Sequence, residues 1–331
     1  MTFPTRRLLA AAMGAGMGVA PALAQPAQPV PGWPERPVRL VLPAAGGAGT
    51  ADTLARIMAA ELDKRLPQRS VVDNRPGANG NVGAGVAARS AADGYTFLWS
   101  WAGTLATNPA MYASLPFDPL RDFEPVILIG NVPNILIVTP DFPARSLEEF
   151  TRHVRAHPGQ LSYGSSGIGS SMHMAAALYS QATGAEMTHV PYNGLSQAVA
   201  DLFTGRIQLM FNLITGSAPQ VREGRARAIA VLSDRRSPVL PDVPTTAELG
   251  MPGLEFGTWF GLLAPRGTPQ PIIQAMNRLF NEILAEPESR ARFEAQGLDV
   301  MGGPPERLTQ HLTAELRRHA EIVRFANVRM E

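Results

Sequence analysis

The chain of 331 residues contains no cysteine. That absence excludes a disulfide framework, a thiolate metal site, a cysteine nucleophile and a lipid anchor on an N-terminal cysteine. Lysine is nearly missing as well: Lys64 stands alone, so Schiff-base chemistry would rest on that one residue. No excess of either charge is present, because Lys+Arg 29 against Asp+Glu 28 leaves +1. A chain so balanced has little with which to neutralise a phosphate backbone, and nucleic acid is excluded as a first choice of partner. What is abundant is apolar: 45% of residues are hydrophobic and 17% charged, the composition of a globular chain with a sizeable core. The length predicts about two domains.

The first 24 residues read as a secretory signal peptide and stand apart from the fold. Arg6 and Arg7 form a basic start, Leu8 to Ala20 an apolar run too short to span a membrane, and Ala22-Leu23-Ala24 a small-x-small cleavage site. Thr5 to Leu9 is also similar to a twin-arginine signal. Cleavage near Ala24 takes the formal charge from +1 to −1, because both leader charges are basic. Residues 25–34, rich in Pro and Gln, read as a linker. The mature protein is expected in the periplasm.

Beyond the linker, strand-like runs alternate with helical periodicity. Val38 to Leu42 is a strand, Pro43 to Thr50 a Gly/Ala/Pro turn, and Leu54, Ile57, Met58, Leu62 and Leu66 one face of a helix. Ser70 to Val72 and Tyr95 to Trp99 predict further strands around a helix at Asn81 to Ala91. The apolar runs Val126 to Gly130 and Ile135 to Thr139, parted by Pro133, predict a sheet edge or a crossover. Helices at 146–156, 170–183 and 196–204 then alternate with strands at 161–165, 189–192, 207–211 and 227–232. A strand at 256–264 returns the chain to the first sheet, and two amphipathic helices clad it. The expected fold is α/β with two lobes, each a mainly parallel sheet flanked by helices: lobe I from 35–127 and 256–331, lobe II from 128–255.

Two strand-to-helix turns can bind an anion. Pro43 to Asp52 offers free N–H groups at a helix start, with Thr50 as a cap. Gly47 to Asp52 begins like a dinucleotide fingerprint, but Asp52 stands where the third glycine belongs and would repel pyrophosphate. The segment is equally well explained as a tight turn alone. Tyr163 to His173 packs three glycines and four serines around a second helix start, more donors than capping needs. It is not a hydrolase elbow, because G-x-S-x-G requires glycine where Ile168 stands. His173 with His189, and His153 with His157, lack a third ligand, so no metal site is expected. No carboxylate pair stands out for glycosidase chemistry. Trp99, Trp101 and Trp259 are core residues by default, and as a set can wall a cleft.

A series of short segments carries a resemblance: Trp33 to Val41, Asp73-Asn74-Arg75-Pro76-Gly77-Ala78, Ala92 to Tyr95, Leu115 to Pro119, His189-Val190-Pro191-Tyr192, Leu240 to Thr245, Trp259 to Leu262 and Ala264 to Pro269. In these the chain resembles the Bug receptors, the periplasmic solute-binding proteins of tripartite tricarboxylate transporters, over nearly all of its mature length. The resemblance implies two hinged lobes of the type II binding-protein kind that close on a small organic acid, without catalysis, cofactor or metal, as a monomer that meets membrane transporter subunits. It also implies that a carboxylate is gripped between Ala45, Gly46, Gly47, Gly49, Thr50 and Asp52 on one side and Ser165, Gly167, Gly169, Ser170, Ser171 and His173 on the other. Trp101, Tyr192, Asn212 and Trp259 complete the expected site. The chain departs from the family pattern in a longer first turn, in Asn193 where a base is common, and in Asn212 where an acid is common. An amino-acid ligand, whose ammonium wants an acid, is disfavoured by the last change relative to a simple mono- or dicarboxylate. A ligand sensor for a membrane signalling partner uses the same cleft physics, and an exported hydrolase is the remaining alternative.

Overall fold

A computed structural model describes Met1, residues 30–47 and residues 49–330. The expected signal peptide, apart from Met1, therefore lies outside the described residues, as do Ala48 and the first part of the linker.

In the first lobe, β1 (Val38–Leu42) leads into α1 (Gly49–Leu62), β2 (Ser70–Asn74), α2 (Asn81–Ala88) and β3 (Thr96–Trp101). A short π-helical stretch, Gly103–Thr107, and α3 (Asn108–Met111) follow. β4 (Phe123–Val138) then runs into the second lobe, which holds α4 (Leu147–Ala156), β5 (Ser162–Ser165), α5 (Ser171–Thr183), β6 (Thr188–Pro191), α6 (Leu195–Phe203), β7 (Leu209–Leu213), α7 (Ile214–Arg222) and β8 (Arg227–Val231). β9 (Gly257–Pro265) brings the chain back to α8 (Gln270–Ala285), α9 (Pro287–Glu294), β10 (Asp299–Val300) and α10 (Pro305–Phe325).

The strands form one sheet in the order β2-β1-β3-β9-β4-β7-β5-β6, with β8 and β10 paired to β4. Parallel pairing holds in the two wings, β2·β1·β3 and β7·β5·β6, as α/β alternation predicts. The central pairings β3·β9, β9·β4 and β4·β7 are antiparallel, because β4 and β9 run between the lobes in opposite directions.

The two apolar runs around Pro133 are a single 16-residue strand. Its partner changes at the proline: Pro133 is the last residue in register with β9, and Asn134 the first in register with β7. A residue with no N–H is tolerated where one ladder ends and the next begins. One large cluster of buried residues runs through both lobes, from Leu40, Phe97 and Phe280 to Ile137, Ile207 and Met210, and a second gathers around Phe150, Tyr179 and Phe211. α10 packs along β4: Leu308 and Leu312 join a third cluster with Phe117, Phe123 and Trp259, and its last turns carry Ile322 and Val323 into the second.

Helix α2 stops at Ala88, three residues short of the expectation from sequence, and α7 and α9 were not expected at all. α7 hides in sequence because Gly216, Ser217 and Pro219 read as a loop; the helix forms over Ile214 and Ala218, both buried.

Candidate functional site

A cavity of about 510 Å³ opens between the lobes at the C-terminal ends of β1, β3, β5 and β7. This is where ligands collect in open α/β sheets, because helix starts follow those strand ends. Among the described residues, no charged side chain lines it. A larger depression of about 740 Å³ lies along β2 and β3 and is lined by Arg36, Arg39 and Arg75. Its charges are already spent on one another: Arg36 pairs with Asp93 at 2.7 Å, and Arg39 and Arg75 share Asp73.

The first helix start in the cavity is that of α1, where Gly49, Thr50 and Ala51 form the wall. Asp52 does not join them. It is 3% exposed and accepts from the Gly47 N–H at 3.0 Å, from Arg56 Nε at 2.7 Å and from Asn74 Nδ2 at 2.9 Å. Burial pushes its pKa up, but the hydrogen bonds from Arg56, Asn74 and Gly47 outweigh this and hold it below the usual aspartate value. Asp52 is thus the post to which the turn is tied, with its charge turned away from the cavity.

The second is the start of α5, where Gly169, Ser170 and Ser171 form the wall. Ser170 caps the helix by accepting from the His173 N–H. The Gly169 N–H donates to His173 Nδ1 at 3.2 Å, and a side chain at Gly169 would run into Met111. Ser165 is fully buried behind the turn. Its Oγ donates to Gly167 O at 3.0 Å and lies 2.7 Å from His189 Nε2, which is then the donor of that pair. His173 and His189 stack with ring centroids 3.9 Å apart, and Tyr163 stacks on His189 at 4.9 Å. Burial, with the neighbouring His189 adding to it, pushes the His173 pKa down to about 3; burial pushes that of His189 down to about 4. Both rings are neutral at pH 7.

The third is the start of α7, where Leu213, Thr215 and Gly216 form the wall. Across the cavity Thr215 Oγ1 meets Thr50 Oγ1 at 3.0 Å, a hydrogen bond from one lobe to the other. Gln296 closes the same end from the α9–β10 loop. The next residue, Gly297, has φ +67°, and a Cβ there would stand 2.9 Å from Ile214 and 3.0 Å from Thr215. Trp101 and Phe260, opposite each other in the β3·β9 register, supply an aromatic wall.

The profile of the tripartite tricarboxylate transporter family receptor matches residues 54–328. The chain belongs to that family. Protein BugT of Bordetella pertussis (strain Tohama I) is 35% identical over 300 residues, covering 90% of this chain and 92% of BugT. Among solved structures, R. palustris Rpa4515 with adipate is 37% identical with a TM-score of 0.81, covering 90% of this chain and 99% of that one. MatC of Rhodopseudomonas palustris with bound malate is 34% identical with a TM-score of 0.76, covering 88% and 100%. The fold is therefore that of a two-lobed periplasmic solute-binding protein.

In this receptor the cavity wall gathers Gly49, Thr50, Trp101, Gly169, Ser170 and Ser171 from the set expected from sequence. The others stand behind or beside it. Ala45, Gly46 and Gly47 lie in the exposed part of the first turn. Asp52, Ser165, Gly167 and His173 brace the two turns from within, as described above. Tyr192 is turned to Asp201, which its hydroxyl meets at 2.8 Å, and Asn212 is fully buried beneath α7. Trp259 is also displaced from the expected position. It is 2% exposed, donates its indole N–H to Glu315 Oε2 at 3.1 Å and packs edge-on against His311. The reason is strand parity: successive side chains of β9 point to opposite faces, and Thr258 and Phe260 face the cavity instead. Asn79, Gly103, Leu195, Thr215, Gly216 and Gln296 were missed. Phe260 could have been found from strand alternation, which sets it on the face opposite Trp259, its neighbour in β9; the α7 residues had no such signal.

Proposed function

We propose that this receptor captures a small organic carboxylate between its lobes by hinged closure and hands it to the membrane subunits of a tripartite tricarboxylate-type transporter, without chemical change. The observation that carries this reading is the uncharged cavity onto which the starts of α1 and α5 open from opposite lobes. Each helix start carries roughly half a positive charge, and hydrogen bonds to an ionised group contribute about 1.5–3 kcal/mol apiece. Micromolar binding needs only about −8 kcal/mol, so a few such bonds with burial against Trp101 and Phe260 suffice. The relatives with adipate and malate support the same class of ligand. Grip from both lobes gives the closed state contacts that the open state lacks, which is what a ligand needs to shift the balance towards closure.

The Ser165–His189 pair does not argue for a hydrolase. Ser165 is fully buried outside the cavity wall, its proton is directed to Gly167 O, and His189 is neutral to about pH 4. The reading places the mature receptor in the periplasm as a monomer, its signal peptide removed near Ala24.

The test begins with mass spectrometry of the ligand released from protein purified without refolding. Calorimetry with that acid and with its amide should then show the acid bound more than tenfold tighter, because an amide nitrogen turns a donor towards donors. Equal affinities would overturn the carboxylate grip.

A further inference from the structure

The chain contains two Asn-Gly pairs, Asn79-Gly80 and Asn193-Gly194, and the fold treats them oppositely. Such a pair is chemically labile, because glycine has no Cβ to keep the asparagine side chain from turning back on the next backbone nitrogen. At Asn79 the fold forbids that turn. Its Nδ2 donates to Asn108 Oδ1 at 2.7 Å, its carbonyl accepts from Thr104 Oγ1 and Asn108 Nδ2, and the Gly80 N–H donates to Gly77 O at 2.9 Å. At Asn193 none of these restraints is present among the described residues. The residue is exposed in the bend between β6 and α6, and its amide meets no hydrogen-bond partner. The Gly194 N–H, at the N-cap of a helix that no side chain caps, has none either. Gly194 also has open space around it: a Cβ there would meet nothing within 4 Å.

We propose that Asn193 converts spontaneously to aspartate and isoaspartate in the folded receptor, and that the charge so formed weakens the capture of an acid. The Gly194 nitrogen gives up its proton to solvent and attacks Asn193 Cγ; a C–N bond forms, and the side-chain amide nitrogen takes up a proton and leaves as ammonia. Water then opens the five-membered imide at one of its two carbonyls. Breaking the new bond to Cγ gives aspartate, and breaking the old bond to the main-chain carbonyl gives isoaspartate. Water is the sole co-reactant, and nothing is oxidised or reduced.

The position of the pair decides the consequence. Leu195, two residues on, lines the cavity, and the Tyr192 carbonyl, one residue back, is 3.8 Å from where a Cβ of Gly167 would stand in the α5 turn. Both products therefore set a carboxylate on the second lobe's lip of a cavity that, among the described residues, has no charged side chain in its wall. A charge gained by modification acts as any fixed charge does, and repels an anion within about a Debye length, roughly 8 Å at physiological salt. The isoaspartate also adds a methylene to the main chain just ahead of α6. The effect on capture rests on the carboxylate reading above; the conversion itself does not.

The test holds the wild-type receptor in mildly alkaline buffer and maps its peptides by mass spectrometry, with isoaspartyl methyltransferase reporting the iso form. The folded chain should gain acid at residue 193 at least tenfold faster than at residue 79, and in urea the two rates should converge. Gly194→Ala, whose methyl enters open space, should slow the conversion at residue 193 at least tenfold and leave the unfolding midpoint unchanged. Calorimetry with the acid recovered from the purified protein should show Asn193→Asp binding it at least threefold more weakly than the wild type at low salt, with the gap closing as salt is raised. Equal rates at the two residues in the folded chain, or conversion of both in urea and of neither in the folded chain, overturns the proposed site. Equal affinities of wild type and Asn193→Asp overturn the effect on capture. A wild type that binds the acid no tighter than its amide overturns the carboxylate reading instead, and the mapped conversion stands.

Discussion

The two turns that face each other across the cleft are held by opposite means. In the α1 turn a buried carboxylate gathers Arg56, Asn74 and the Gly47 N–H around itself. In the α5 turn no ion is involved: His173 accepts one backbone N–H while stacked on His189, which in turn is stacked on Tyr163. Both solutions leave the helix start open to the cavity. They differ in what can undo them. A carboxylate held below its usual pKa is indifferent to pH until the acid range is reached, whereas rings kept neutral by burial resist a proton that the unfolded chain accepts near pH 6.5. One lobe's turn is therefore robust where the other's is sensitive.

The largest effect should come from acid on the α5 turn. With folded-state pKa values lowered to about 3 for His173 and about 4 for His189, the unfolded state binds more protons than the native state below pH 6.5. Stability is thus fully present above that pH and lost as pH falls towards 4, by on the order of 3 kcal/mol from His189 alone. A proton on His173 Nδ1 would also face the Gly169 N–H and break the bond that sets the turn. Urea denaturation between pH 7 and 4 should show this loss, and His173→Gln with His189→Phe should flatten it. An equally steep curve in the double variant would mean that other groups govern the acid response.

Next in size is Asp52→Asn, which leaves the α1 turn its shape but removes the charge that its donors share. Charge-assisted bonds of this kind contribute about 1.5–3 kcal/mol each; Arg56 is 53% exposed and recovers part of that in water, so a net loss of about 2 kcal/mol is expected. Its pH dependence has the same sign as that of the histidines, stability falling with pH, but lies in a lower window. A lowered aspartate pKa contributes stability above its unfolded value, near pH 4, so the difference between wild type and Asp52→Asn should stay constant from pH 7 to 4.5. A difference that shrinks between pH 6.5 and 5 would show that Asp52 and the histidines are one coupled system.

The same contrast explains what could be read from sequence. Both turns were visible, because glycine clusters between a strand run and a helical face announce a strand-to-helix turn wherever they occur. The roles inside them were not, since an aspartate in a first turn and a histidine four residues after a glycine look the same whether they face a ligand or a neighbour. Parity misled at Trp259, where the more conspicuous aromatic lies one residue away from Phe260, which faces the cavity. α7 was invisible because Gly216 and Pro219 lower helix propensity, and only the burial of Ile214 and Ala218 decides for the helix. β4 was read as two pieces because Pro133 interrupts a strand pattern, and only the partner switch makes that interruption harmless.

The smallest effect, and the one that links the two lobes, belongs to the Thr50–Thr215 hydrogen bond. It joins half-buried hydroxyls across the cavity and exists only when the lobes are together, so its net value of about 0.5–1.5 kcal/mol belongs to closure, not to folding. Thr50→Val and Thr215→Val keep shape and remove the bond, and each should therefore speed ligand release by about two- to tenfold while leaving the unfolding midpoint unchanged. Because the two residues form one bond, the double variant should be no worse than either single one. Stopped-flow displacement of bound ligand measures all three rates on the same footing. Release rates that multiply in the double variant would show that each threonine touches the ligand independently, and that the hydroxyl pair does not hold the lobes together.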